Sequence, residues 1–264
     1  MTLLKDNFAK RLQVKPIHKV TTRVTHHVYE VLDDKSKVRI MKYSRKPLSK
    51  TEADSQLDVI KHLSHHGIGA KLRRYTYYNN RLATVTDKMD GTLSMYLSSQ
   101  RSKRQLASVV RKLFMLFFTC AKTGMMLSDI KPDAIGYRIT KGEPRLYIHD
   151  PDIDLCSFGT DEGMTNQTKR SVQILYARMM CILLTEHMKA RLPFANPPPQ
   201  IRKQWKWFCK AFEEYFYKRL SYKSIPKRIK IGDNHVHPIE VLYSCLEPER
   251  ITFRHYIAMQ AVNF

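Results

Sequence analysis

Between Leu127 and Ile135 the chain reads Ser128-Asp129-Ile130-Lys131-Pro132-Asp133-Ala134, a carboxylate and an ammonium two residues apart after an apolar run. Further on, Ile148-His149-Asp150-Pro151-Asp152 supplies a second acidic position. Upstream, Lys42 ends the run Val38-Arg39-Ile40-Met41-Lys42, whose alternation puts Val38, Ile40 and Lys42 on one face of a strand. A carboxylate can accept a hydroxyl proton or hold a divalent cation, and an ammonium can neutralise phosphate. Phosphoryl transfer uses all three. Taken alone, Asp-x-Lys-Pro fits an ordinary solvated turn equally well. The pairs His26-His27 and His65-His66 have no Cys or carboxylate at ligand spacing, so they read as solvated or core histidines.

The elements that must position these groups change character along the chain. Val28–Leu32 and Lys37–Tyr43 are short runs of β-formers separated by Asp33-Asp34-Lys35-Ser36, a hairpin pattern. Ser49-Lys50-Thr51-Glu52 opens a helix with Leu57, Ile60 and Leu63 on one face, ended by Gly67-Ile68-Gly69. Leu82–Thr86 is a further strand, ended by Asp90-Gly91. Beyond Gly91 the pattern turns helical: Leu106, Val109, Val110, Leu113, Phe114, Phe117 and Phe118 form a broad apolar stripe. Short β-like runs at Ile135–Ile139 and Leu146–His149 flank the candidate acids, a second apolar helix covers Val172–Leu184, and a last helix is expected near Ile251–Ala261.

In this order the motifs resemble those of protein kinases. Val38–Lys42 is similar to the strand with the phosphate-gripping lysine, Leu57–Leu63 to the helix after it, and Ala83–Leu93 to the interlobe hinge. Asp129-Ile130-Lys131-Pro132 resembles the catalytic loop, Asp150-Pro151-Asp152 the metal loop, and Pro248-Glu249-Arg250-Ile251-Thr252 the start of the last kinase helix. The resemblance implies an α+β, two-lobed kinase-like fold in one domain over residues 1–264, with a β-rich N-lobe (1–87), a hinge (87–91) and a helical C-lobe (92–264). It implies ATP with magnesium or manganese as cofactors and Ser/Thr as the phosphate acceptor. Asp129 would orient the hydroxyl and take its proton, Lys131 would stabilise the transferring group, Lys42 would hold the phosphates, Asp87 and Met89 would line the nucleotide, and Asp150 would ligate the metal.

The departures are as specific as the matches. Thr21–Tyr29 lacks the glycines that let backbone approach phosphate. The helix glutamate falls on Gln56, with Glu52 one turn earlier as a substitute. The metal-binding asparagine of the catalytic loop falls on Ala134, beside Asp133, and Leu127-Ser128 stands for the usual His-Arg. The stretch from Asp150 to Val172 is short and has no Ala-Pro-Glu, leaving Glu162 as the available partner for Arg250. Small kinase-like proteins of large DNA viruses have similarly short activation segments. The alternative function is a pseudokinase that serves as a basic scaffold.

Composition limits the rest. With 46 Lys+Arg against 24 Asp+Glu, the 264-residue chain carries +22, while 43% hydrophobic and 10% aromatic content excludes disorder. Such charge fits contact with nucleic acid, an anionic membrane or an acidic protein partner, or equally a solvated basic surface with no dedicated partner; the kinase resemblance adds a protein substrate. Trp205–Lys230 interleaves aromatics and cations; it reads either as a single-strand stacking surface or, better, as core aromatics with snorkelling cations. Five widely spaced cysteines, no signal-like start and no stretch near membrane-spanning length give the expectation of an intracellular protein of cytoplasm or nucleus, or of virion or infected cell if viral.

Overall fold

Leu4, Phe8 and Leu12 recur every fourth residue, and the segment carrying them forms a helix, α1 (Thr2–Leu12). Gln13, at φ 52°, turns the chain into strand β1 (Lys15–Thr22). Strands β2 (His26–Leu32) and β3 (Val38–Ser44) follow, joined by the expected turn, in which Asp33 accepts from the backbone N–H of Lys35 and Lys37. The computed structural model describes residues 2–22, 26–127, 130–149, 155–157, 165–191, 196–220 and 227–243.

Helix α2 (Lys50–His65) starts at the expected Ser49, and β4 (Leu72–Tyr78) and β5 (Arg81–Asp87) complete the first unit, residues 1–90. Asn79 and Asn80 make the β4–β5 turn at φ 51° and 54°, a left-handed conformation that Asn tolerates. The five strands form one antiparallel sheet in the order β1-β2-β3-β5-β4. Period-two alternation gives it two apolar faces. Tyr29, Val31, Met41, Tyr43, Ala83 and Val85 pack under Phe8 and Leu12 of α1. On the other face Leu82 packs with Ala53 and Leu57 of α2.

The second unit, 91–264, begins with β6 (Gly91–Thr92), α3 (Leu93–Leu97) and α4 (Lys103–Lys122), the last being the apolar stripe of the sequence. Strand β7 (Met125–Leu127), a 3-10 turn (Pro132–Ala134), β8 (Ile135–Thr140), β9 (Glu143–Ile148) and β10 (Leu155–Ser157) come next. Helices α5 (Asn166–Ala190) and α6 (Pro199–Arg219), the hairpin β11 (Ile229–Ile231) and β12 (Asn234–Val236), and α7 (Pro238–Tyr243) follow. In α6, Trp205, Phe208, Phe212 and Phe216 are buried. These four rings follow the core reading of that segment, while Trp207 and Tyr215 are half-buried and Tyr217 is exposed. The helix expected near 251–261 lies outside the described residues. The architecture is α+β, a five-stranded antiparallel sheet unit followed by a helical unit.

Candidate active site

In the sheet unit, Lys42 sits on the α2-facing side of β3, half-buried, with Val28 and Thr84 as its cross-strand partners. Val28, Ile40 and Thr84 on that face are buried, so the lysine rises from an apolar floor. Glu30 shares the face, and its carboxylate meets the Lys88 ammonium at 2.6 Å. Glu52, the substitute for the missing helix glutamate, is engaged elsewhere. It accepts from Ser49 N at 2.7 Å and Ser49 Oγ at 2.8 Å in a capping box, and these bonds hold its carboxyl below the usual range. Gln56 is half-buried on α2.

Asp87 and Met89 end the same unit. The Asp87 carboxylate accepts from Arg73 Nε at 2.6 Å and Nη2 at 2.9 Å, and Arg39 Nη1 also donates to it. Arg39 belongs to the β3 face opposite Lys42 and is buried. Arg73 reaches Asp87 from a bulge in β4, which interrupts the register between Leu72 and Arg74. What Asp87 can offer a nucleotide is therefore backbone, because its side chain is an anchor of the sheet. Met89 is half-buried in the extended segment beyond β5.

The helical unit builds a loop. Gly124, at φ 77°, turns the end of α4 into β7, whose three residues are buried and pair with β10 through Leu127 and Leu155. After Ile130, which is buried, Lys131 stands half-buried at the head of the 3-10 turn. The Ala134 N–H closes that turn on Lys131 O at 2.9 Å. Strand β8 then pairs with β9, ending at Ile135 opposite Ile148, and the His149 N–H donates to Ala134 O at 2.8 Å. Lys131 and His149 are thereby stitched to one short turn. Asp129 and Asp150, the expected base and metal ligand, adjoin Ile130 and His149 but lie outside the described residues, as do Asp152, Glu162 and Arg250.

Two neighbours of the loop have other engagements. Ala134 is a buried methyl, and Asp133, exposed, accepts from Thr92 Oγ1 at 3.3 Å. Thr92 also caps α3 by accepting from Met95 N, so it links that helix to the loop. It was missed in the sequence, although Asp90-Gly91-Thr92 before an apolar run is a cap signal. A Cβ at Gly91 would lie 2.9 Å from the Tyr137 ring, so a larger residue there has to displace that side chain.

The remaining reactive groups are structural. Cys120 and Cys209 are buried, and burial pushes both thiols up to about 12, away from thiolate chemistry. His27 is buried against Tyr43 with its ring centroid 5.0 Å away, and burial lowers its basicity. No cluster of three metal-ligating side chains occurs among the described residues, and none of their helices is long and apolar enough to cross a membrane. No protein-family model matches this chain, and no curated protein matches its sequence.

Proposed function

We propose that the chain is a kinase-like phosphotransferase with a reduced site, transferring phosphate from ATP to a protein Ser or Thr. The observation that supports the reading is the stitched loop: Lys131 heads a turn whose Ala134 accepts from His149, and in sequence Asp129 precedes Ile130 and Asp150 follows His149. Lys42, on the α2-facing side of a five-stranded sheet, supports it independently. In this reading Asp129 accepts the hydroxyl proton, Lys131 balances charge on the transferring group, and Lys42 holds the nucleotide phosphates. Asp150 would hold a divalent cation; among the described residues of the loop Ala134 carries no donor and Asp133 accepts from Thr92. When bound, such a cation supplies charge neutralisation for the phosphates.

A second reading, nucleotide binding without transfer, is favoured by that same Ala134 and by the engagement of Glu52 in its helix cap. One experiment separates them. ATP with magnesium at ~100 times its dissociation constant should stabilise the fold by about 2.7 kcal/mol in a thermal melt under either reading. Only the first expects phosphate transfer, lost by about 10²–10⁴-fold in Asp129→Asn with ATP affinity unchanged. No stabilisation by ATP with magnesium or manganese sinks both.

A further inference from the structure

Successive residues of a strand face opposite sides, and the pair His26-His27 at the head of β2 splits accordingly. His27 packs against Tyr43 on the α1 side. His26, half-buried, lies directly opposite Ser44 across β2 and β3, and the next pair on that side is Val28 with Lys42. The register thus sets His26 and Lys42 one pair apart on the α2-facing side, a diagonal that long side chains span. Ser44 is 4% exposed, and its Oγ meets no hydrogen-bond partner among the described residues. Buried hydroxyls are seldom left so. Charge is graded along the same strands. Toward the β2–β3 turn, Glu30, Asp33, Asp34 and Asp87 are paired with Lys88, Arg39, Arg74 and Arg73. At the other end, burial first and then Lys19, Arg45 and Arg81 lower the basicity of His27. The carboxylates of the two helices on the sheet are engaged: Asp6 with Lys5, Glu52 with Ser49, Asp54 with Lys50 and Asp58 with Lys61.

We propose that His26 binds the phosphate chain of the nucleotide beside Lys42, with Ser44 positioning its ring. This rests on the phosphotransferase reading and adds two residues to its site. The sequence from Thr21 to Tyr29 has no glycine, so it lacks the residue type that brings backbone N–H groups close to phosphate. An imidazole N–H can supply the donor from a side chain instead, and phosphate oxygens accept strongly from it. Ser44 Oγ, across the ladder, is placed to take up the second ring nitrogen, which fixes the ring plane and leaves the first for the ligand. An anion arriving at this end of the sheet meets an ammonium, an imidazole and an unused hydroxyl.

The test is calorimetric titration of the full chain with ATP and with adenosine, both in the presence of magnesium. His26→Val keeps a β-forming side chain and should weaken ATP at least about tenfold, the loss of a hydrogen bond to a charged group, while adenosine binds as before. His26→Arg should retain the affinity for ATP, because a guanidinium also donates to phosphate, and this variant guards against a folding defect. Ser44→Ala should weaken ATP about threefold in the parent chain and not at all in the His26→Val background, a coupling that a merely structural serine would not show. Equal losses from Ser44→Ala in both backgrounds would overturn the positioning role. Unchanged ATP affinity in His26→Val, or equal loss of ATP and adenosine, would overturn the role of His26 and leave the phosphotransferase reading standing. Absence of ATP binding by the parent chain would overturn both.

Discussion

The two units place their ion pairs differently. In the sheet unit the described carboxylates hold structure: Asp33 and Asp87 clasp Arg39, Asp34 pairs with Arg74, Glu30 with Lys88, Asp54 with Lys50, and Glu52 caps α2. The helical unit keeps its pairs, Lys112 with Glu143 and Lys189 with Glu186 and Glu213, nearer the surface and has an aromatic core. Phe212 lies 6.4 Å from Phe117, 6.5 Å from Phe208 and 5.5 Å from Phe216, centroid to centroid.

If that contrast holds, the largest stability loss comes from the aromatic core. Phe212→Ala removes a fully buried ring and should cost about 3–5 kcal/mol. Both tryptophans of the chain, Trp205 and Trp207, stand on α6, so their fluorescence reports this loss from within the helical unit. A denaturant midpoint unmoved by Phe212→Ala would mean that the ring is not where the stability lies.

Next in size is the ion network of the sheet unit. Arg39→Ala leaves Asp33 and Asp87 facing one another's side of the sheet without their shared cation. The cost should be about 3 kcal/mol, the low end for a broken buried pair, because Asp87 keeps Arg73. Arg39→Met, which restores apolar packing, should cost no more than the Ala variant. The network also titrates. Backbone N–H donors, Lys37 foremost, together with Arg39 hold the Asp33 carboxyl at about 2, below its ordinary 3.8. A depressed carboxyl stabilises the fold above its unfolded value, so this contribution is complete above about pH 4 and is lost as pH falls through 2. Asp33→Asn should flatten the acid limb of stability in that window; an unchanged acid limb would place the sensitivity elsewhere.

The elements legible in the sequence were those whose period was long or whose caps were explicit. Helix α4 shows a stripe from Leu106 to Phe117, α2 its Ser49–Glu52 box, and β2–β3 its acidic turn. Helix α1 escaped because the N-terminal region was read as strands, although Leu4, Phe8 and Leu12 carry a helical period. Strands β1 and β4 escaped for a different reason. They are sheet edges, and Ile17, Val20 and Tyr75 remain exposed there, which blurs the alternation that marks a half-buried strand. At the site, the order Lys42, Lys131 is legible, but the engagements of Asp87 and Asp133 are not. Each depends on a partner from another strand or a helix start, which spacing alone does not encode.

The smallest predicted effect sharpens the comparison most, because the two units carry the same device with one atom type changed. Helix α2 starts with Ser49 and Glu52, and α4 with Ser102 and Gln105; in both, the serine Oγ accepts from the third helical N–H and the longer side chain accepts from the serine N–H. Ser49→Ala and Ser102→Ala should each cost about 1 kcal/mol at neutral pH. The carboxylate version titrates and the amide version does not. Hydrogen bonds from Ser49 hold Glu52 below its ordinary value, so its capping contribution is present at neutral pH and declines as pH falls through that lowered value. The cost of Ser49→Ala should therefore shrink in acid while that of Ser102→Ala stays level, and Glu52→Gln should make the two caps behave alike. Hydrogen exchange at the first turns of α2 and α4, followed in both variants from neutral to acid pH, measures each cap in place. Parallel pH profiles for the two serine variants would show that the carboxylate adds nothing to the cap beyond what the amide supplies.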